Sequence, residues 1–168
     1  MFNINSLVER PDDNSVYRQL PGKENHLNSL IELFSQHNQY EINPNEFLMI
    51  KGKWSEMLQH IPDALYTIIK HNREVVGVVV GVEEISVIRK PLSIYLSIIA
   101  FTVKDDHKRA IPLLMNAIDM HLLTRPYIDY VKFTIEAECD TLNFDKRGYT
   151  HHSTSFIKSR EEFIEHGR

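Results

Sequence analysis

The alternation of apolar and polar residues predicts strands and helices that follow one another along the chain. The longest β-forming run, Ser93–Val103, is rich in Ile, Tyr, Phe, Thr and Val and predicts a central strand. A polar loop then leads into a helix whose apolar residues fall three and four positions apart, at Ile111, Leu114, Ile118 and Leu122. Free backbone N–H groups and the helix dipole meet at such a helix start, which makes it a natural anion site. On this segment alone, an ordinary β-loop-α unit is the preferred interpretation.

The segments before this strand begin with an irregular lead-in over residues 1–14. A short strand is predicted over Val16–Leu20, followed by a first helix from about Glu24 to Gln36. The sequence Asn43-Pro44-Asn45 is typical of a helix cap and predicts the start of a second helical region. Gly52 is a possible break within that region.

The pattern then changes to that of a β-hairpin. Two β-forming runs, Ala64–Lys70 and Glu74–Glu83, flank His71-Asn72-Arg73, which has the length of a hairpin connection. Gly77 and Gly81 recur four positions apart, on one face of the second strand. Glycine inside a strand often marks a bulge or the close approach of another backbone or a ligand.

The segments after the central helix predict two further strands and a short helix. Thr124-Arg125-Pro126 ends the central helix, and Tyr130–Glu136 is the next predicted strand. Asp140–Arg147 is predicted as a short helix that ends at Gly148, and Thr150–Lys158 as the last strand. The predicted order is therefore β-α-α-β-β-β-α-β-α-β.

Composition narrows the class of protein. The chain has 168 residues, of which 42% are hydrophobic and 25% charged, which suits a single domain over residues 15–168. A net charge of -4 argues against a nucleic-acid partner.

The single cysteine, Cys139, excludes an internal disulfide and favours a reducing compartment. Val75–Val82, the longest apolar run, is too short to span a bilayer, so we expect a cytoplasmic protein without a membrane partner.

The order and lengths of these elements resemble the GNAT superfamily of N-acetyltransferases, over roughly Val16 to Lys158. Tyr130–Lys158 is similar to the family's fifth strand, fourth helix and final strand, with Phe144–Tyr149 in place of a Tyr-Glu-Lys-x-Gly-Phe-like turn. Phe101-Thr102-Val103 and Leu113–Asn116 match the end of the central strand and the helix after it. The resemblance implies an α+β or α/β fold, a GNAT-like mixed and mostly antiparallel central sheet flanked by helices.

The resemblance also implies a site for acetyl-CoA or another acyl-CoA, but the sequence departs from the family's glycine-rich pyrophosphate motif. Depending on the alignment, Lys108 and Ala110, or Arg109 and Ile111, occupy the glycine positions, and Pro112 removes one N–H donor. The cations Lys108 and Arg109 either compensate by binding phosphate or form a solvated helix start. The residues expected to contact the cofactor are Phe101, Thr102, Val103, Lys108, Arg109, Ala110 and Ile111.

Acyl transfer to an amine requires a neutral amine, a stabilised oxyanion and a proton for the leaving thiolate. By the resemblance, Ser97 corresponds to a glutamate base and Phe144 to a tyrosine acid, so no catalytic residue is assigned. His107 and Ser97 are weak candidates, with His71 a second possible histidine base. Tyr95 and Ser97 share a strand face and are expected to line an acceptor pocket, and backbone N–H groups near Phe101–Val103 are expected to polarise the thioester.

The other histidines and the single cysteine predict no second site. The nine histidines show no zinc-site spacing, so no metal is expected, and His151-His152 are interpreted as surface or pocket-rim residues. Cys139 is interpreted as a packed thiol.

The first functional hypothesis is an N-acyltransferase that moves an acetyl or other acyl group from coenzyme A to a small-molecule or protein amine, with a homodimer possible. The alternative is a catalytically inactive GNAT-fold module for binding or structure. The missing glycines, Ser97 and Phe144 favour the alternative. The intact strand-loop-helix core and its two cations favour the enzyme.

Overall fold

The computed structural model describes residues 16–37, 39–61, 63–86, 93–133 and 145–148. The chain divides into two compact units, residues 1–134 and 135–168. The described strands of the first unit are β1 (Tyr17–Pro21), β2 (Leu65–His71), β3 (Glu74–Ser86), β4 (Ser93–Val103) and β5 (Tyr130–Phe133), and its α-helices are α1 (Leu27–His37), α2 (Pro44–His60) and α3 (Ala110–Leu123). In the second unit the structure describes a 3-10 turn, Asp145–Arg147, followed by Gly148 with a φ of 83°.

The five strands form one sheet in the order β1-β2-β3-β4-β5. All neighbouring strands are antiparallel except β4 and β5, which are parallel. Helix α1 packs on one face, in a core that includes Leu30, Val78, Val80 and Ala100. Helix α3 lies against the other face, where Gly77 approaches it. The predicted mixed, mostly antiparallel sheet flanked by helices is confirmed.

The predicted cap of the second helix is confirmed. The Asn43 side chain accepts a hydrogen bond from the backbone N–H of Glu46 at 2.9 Å, and Pro44 occupies the first helical turn. The predicted break at Gly52 is wrong, because α2 continues through that residue to His60. One exposed glycine costs a helix only about 1 kcal/mol, which the cap and the packing of the apolar positions of α2 offset.

The predicted hairpin between β2 and β3 is also confirmed. Its two turn residues, Asn72 and Arg73, have φ values of 51° and 66°, the left-handed pair that matches the twist of a two-residue hairpin. Gly77 lies where a Cβ would come within 3.3 Å of Leu114 and 3.4 Å of Ala110. The absence of a side chain at Gly77 therefore allows α3 to pack closely on the sheet.

Helix α3 buries three of the four apolar residues that predicted it, Ile111, Leu114 and Ile118, whereas Leu122 is half-buried. The helix ends before Thr124, as expected. Strand β5 is described only as far as Phe133. Among the described residues, no helix is long and apolar enough to cross a membrane. Several predictions lie outside the described residues: the lead-in 1–14, the strand residues 134–136, the helix residues 140–144, the strand 150–158, and Cys139, Phe144, His151 and His152.

Candidate functional site

A β-bulge interrupts the pairing of β3 with β4. Val80 lies opposite Ala100 and Gly81 lies opposite Ile98, so Ile99 has no partner on β3. The extra residue of a bulge leaves the ladder, and its backbone groups are then free for other partners. The Ile99 side chain is 44% exposed. The polarising N–H groups were expected further along, near Phe101–Val103. Gly81, one of the two strand glycines taken to mark a bulge or a close approach, lies beside this bulge.

The bulge determines which residues of β3 lie opposite the first half of β4, Ser93–Ile98. Beyond it, Ser97 lies opposite Val82 and Tyr95 lies opposite Glu84. Side chains alternate along a strand and directly opposite residues share a face, so Tyr95, Ser97 and Glu84 lie on one side of the sheet. The parallel partner β5 adds two residues to that side, since Tyr130 is opposite Tyr95 and Lys132 is opposite Ser97.

Four of these side chains form what we call the Tyr95 cluster: Tyr95, Glu84, Tyr130 and Lys132. The Tyr95 hydroxyl donates a hydrogen bond to the Glu84 carboxylate, and this bond raises the pKa of Tyr95 to about 12. The Tyr95 and Tyr130 rings are stacked, with centroids 5.1 Å apart and planes at 4°. The Lys132 ammonium lies 5.8 Å from the Tyr95 centroid. Ser97 beside them is 9% exposed.

At its other end, β4 leads through the 3-10 turn Asp105–His107 into α3. Thr102 is buried, and the half-buried ring of Phe101 meets that of Phe133 edge to face, with centroids 5.7 Å apart. Val103 is half-buried. Lys104 forms an ion pair with Glu74 at 2.5 Å. The strand end is therefore fixed in place before the chain turns into the helix.

The start of α3 is the position at which the sequence predicted an anion site. Ala110 is fully buried and Ile111 is 8% exposed, so both side chains pack into the protein and leave the loop surface clear. Lys108 and Arg109 are exposed there. The Ile111 N–H already donates to the Lys108 carbonyl at 3.1 Å, and Pro112 has no N–H. The amides of Arg109, the N-cap, and Ala110, the first residue of α3, are the other N–H groups at this helix start.

The two histidines suggested as bases, 36 positions apart in the sequence, lie together at this end of the sheet. Tyr17, His71 and His107 form what we call the histidine cluster. The Tyr17 hydroxyl is 2.9 Å from Nδ1 of His107, and the two imidazole centroids are 4.9 Å apart. His107 follows Val103, which is six residues from Ser97, or about 20 Å along the strand. A histidine there is too far from Ser97 to exchange a proton directly with a group beside it.

A separate set of charged residues lies on the opposite face of the first half of β4. Glu83 accepts a hydrogen bond from the Tyr127 hydroxyl at 2.5 Å, and its carboxylate is 3.7 Å from Nε of Arg125. His121 of α3 is 7% exposed, and its Nε2 has no hydrogen-bond partner among the described residues. Burial, followed by the nearby Arg125, lowers the pKa of His121.

Tyr95 and Ser97 were predicted from the sequence, whereas Glu84, Tyr130 and Lys132 were not. Period-two alternation on β3 and β5 could have suggested that these residues point to one side. It could not have matched them to Tyr95, because that match depends on register. Within the described ranges, no three His, Cys, Asp or Glu side chains are grouped closely enough to hold a metal ion.

Comparison of the whole fold with solved structures gives matches along nearly the full length of other proteins. One is a protein of Clostridium acetobutylicum named a predicted acetyltransferase and solved with acetyl-CoA, with a TM-score of 0.68 at 9% identity, covering 91% of this chain and 100% of the other. Glucosamine-6-phosphate N-acetyltransferase from Arabidopsis thaliana matches with a TM-score of 0.64 at 13% identity, covering 87% and 99%. A transcriptional regulator from Bacillus halodurans matches with a TM-score of 0.64 at 11% identity, covering 86% and 99%.

No protein-family profile matches the sequence, and no curated protein matches it. At such low identity the structural likeness shows the fold alone. The chain has the fold of the GNAT acetyltransferases.

Proposed function

We propose that this chain is an N-acyltransferase that moves an acetyl or other acyl group from coenzyme A to an amine. The observation that carries the proposal is the bulge at Ile99, in the middle of the strand that leads to the α3 anion site. Acyl transfer places negative charge on the thioester oxygen, and an unpaired backbone N–H stabilises that charge without any particular side chain. A bound acyl-CoA supplies the acyl group in activated form, as a thioester.

The cofactor site in this proposal is a degenerate pyrophosphate loop. The amides of Arg109 and Ala110 and the side chains of Lys108 and Arg109 bind phosphate oxygens. The buried side chains of Ala110 and Ile111 do not obstruct that approach, although neither residue is a glycine. The end of β4, at Phe101, Thr102 and Val103, lies next to the same loop and completes the set of contacts.

The acceptor amine approaches from the face that carries Ser97 and the Tyr95 cluster. Ser97 cannot serve as a base for an ammonium group, because a serine hydroxyl binds a proton only weakly. The Glu84 carboxylate, held by the Tyr95 hydroxyl, attracts a cationic acceptor to this face. Protons then leave through water, and the rate depends on positioning and on the oxyanion donor.

The second candidate function is a module without catalysis. Pro112 and the Ile111-to-Lys108 hydrogen bond each remove one amide from the helix start, so fewer donors remain for a pyrophosphate. The same fold also occurs in a protein named as a transcriptional regulator. In this alternative the helix start is solvated and binds no coenzyme.

Calorimetric titration with acetyl-CoA and with desulfo-CoA distinguishes the two functions. We expect both compounds to bind and to raise the melting temperature by similar amounts, because the main contacts are to phosphate rather than to sulfur. Release of the coenzyme A thiol in the presence of a panel of primary amines then tests transfer. Absence of binding by both compounds at saturating concentration would favour the module without catalysis.

A further inference from the structure

Lys132 carries a primary amine on the same side of the sheet as Ser97. It lies on β5 directly opposite Ser97, and its ammonium group is over the ring of Tyr95. The side chain is exposed. The two ion pairs formed between described residues, Lys104 with Glu74 and Arg125 with Glu83, do not include Lys132.

The bulge lies within reach of this amine. Ile99 is two residues beyond Ser97 on β4, and neighbouring strands are about 4.8 Å apart, so roughly 8 Å separate the Cα atoms of Lys132 and Ile99. The flexible four-carbon stem of lysine covers most of that distance by rotation. The interaction with the Tyr95 ring is weak at an exposed site, about 0.5–1 kcal/mol, so the amine leaves the ring at little cost.

We propose that Lys132 is an internal acyl acceptor, and that the protein modifies its own side chain in the presence of an acyl-CoA. This inference rests on the proposed function, because it needs the thioester beside the bulge. The ammonium group first gives a proton to water, and the neutral nitrogen attacks the thioester carbonyl carbon. A C–N bond forms, the C–S bond breaks, the amine nitrogen loses its second proton to water, and the coenzyme A thiolate takes up a proton from water.

The product would change the charge of the Tyr95 cluster. Acylated Lys132 is neutral, so the cation above the Tyr95 ring is lost and the Glu84 carboxylate becomes the remaining charge of the cluster. Removal of a cation beside Glu84 makes this face more attractive to a cationic acceptor. Self-acylation would then raise the affinity of the face for amines.

The test is a time course with acetyl-CoA near pH 8, in which the acetylated lysines are located by peptide mass spectrometry. We expect Lys132 to react on the order of tenfold faster, or more, than the exposed control residues Lys23 and Lys53, because its amine is held beside the thioester. The first-order rate constant for Lys132 should not change over a tenfold dilution of the protein. Heat-denatured protein should show no preference for Lys132.

Equal rates at Lys132 and the two control lysines would overturn the inference, as would the same preference in denatured protein. A rate constant that rises with protein concentration would also overturn it, since the modification would then occur between molecules. Acylation of free amines by the wild-type protein, measured alongside the time course, separates this inference from the proposed function. If the wild-type protein binds acetyl-CoA and acylates free amines while Lys132 stays unmodified, the inference alone fails. If the wild-type protein binds no acetyl-CoA, both fail.

Discussion

The two halves of β4 lie next to side chains of different chemistry. In the first half, Tyr95 contacts the Glu84 carboxylate and the ring of Tyr130, which lies on the neighbouring strand. The second half leads to the histidine cluster and to the exposed cations Lys108 and Arg109 at the start of α3. The bulge at Ile99 separates the two halves.

This difference suggests which partner binds where. Under the proposed function, an anionic coenzyme would bind at the end that carries Lys108 and Arg109, which we call the cationic end, and a cationic amine at the end with Glu84, so that their reactive groups would meet near the bulge. The histidine cluster lies away from the proposed site of acyl transfer, since His107 lies beyond Val103 and about 20 Å from Ser97. Measurements on variants at both ends of the strand test this assignment.

The largest effect expected is the pH dependence of acyl transfer. No histidine lies beside Ser97 in the described sheet, so the rate should follow the small fraction of acceptor amine that is neutral. For a lysine-like acceptor with a pKa of about 10.4, kcat/KM should rise about tenfold per pH unit, or about a thousandfold between pH 6 and 9. The measurement is a pH–rate profile of the wild type, His71→Gln and His107→Gln, and all three profiles should coincide.

A plateau above about pH 7 that either substitution abolishes would contradict this prediction. It would show that the histidine cluster supplies the base. The comparison between the two halves of β4 would then be wrong, because chemistry assigned to one half would depend on residues at the other. If kcat/KM rises with pH in both variants as it does in the wild type, the histidine cluster does not supply the base.

The second prediction concerns the cationic end. Replacing Lys108 and Arg109 together by Ala should weaken acetyl-CoA binding by about 1.5–3 kcal/mol for each charge-assisted hydrogen bond lost. The matched control is the double variant Lys23→Ala and Lys53→Ala, which removes two exposed positive charges elsewhere. Calorimetry on the two variants measures the difference. Equal losses of affinity would mean that net charge, not a site at the start of α3, attracts the coenzyme.

The third prediction concerns the packing that holds the cationic end in place. A Val side chain at Gly77 would press on Leu114 and Ala110 of α3, so Gly77→Val should lower the free energy of unfolding by about 1–3 kcal/mol. The control is Gly52→Ala, where an added Cβ meets no atom within 4 Å and should stabilise α2 by up to about 1 kcal/mol. Urea denaturation measures both changes. A neutral Gly77→Val would indicate that α3 can move away from the sheet at little cost.

The sequence predicted those parts of the fold that local chemistry determines. The run of β-branched and aromatic residues predicted β4 with the bounds that the structure has, Ser93–Val103. Asn43 predicted the start of α2 because its side chain caps the helix within four residues. The break at Gly52 was wrong because helix propensity is a weak effect that other contacts of α2 outweigh.

The pairing of Tyr95 with Glu84 could not be predicted, because it depends on one extra residue. Val80 is opposite Ala100, and without the bulge at Ile99 the same register would place Ser97 opposite Glu83. The single extra residue thus changes which glutamate faces the first half of β4. Local sequence gives little indication of a bulge, apart from glycines such as Gly81 on the neighbouring strand.

The smallest effect expected concerns His121, a buried histidine on the face opposite the Tyr95 cluster. Burial and Arg125 lower its pKa in the folded protein, while Glu83 and Asp63 act in the opposite direction. In the unfolded chain the pKa is about 6.5, so below that pH the unfolded state binds a proton that the folded state does not. The stability that neutral His121 contributes is therefore complete above about pH 6.5 and is lost as the pH falls through the folded-state pKa.

Replacing His121 by Phe, which keeps a ring of similar shape, should reduce the loss of stability between pH 6.5 and 5. The expected change is at most about 1.4 kcal/mol for each unit by which the pKa is lowered. Urea denaturation of the wild type and the variant at several pH values measures it, and the region from pH 7.5 to 8.5 is the internal control, where the two curves should be parallel. If the variant loses stability on acidification as steeply as the wild type, His121 is not a source of the acid sensitivity. An isolated buried imidazole disfavours its charged form. In that case the Nε2 atom of His121 would have to form a hydrogen bond with water or with a group outside the described residues.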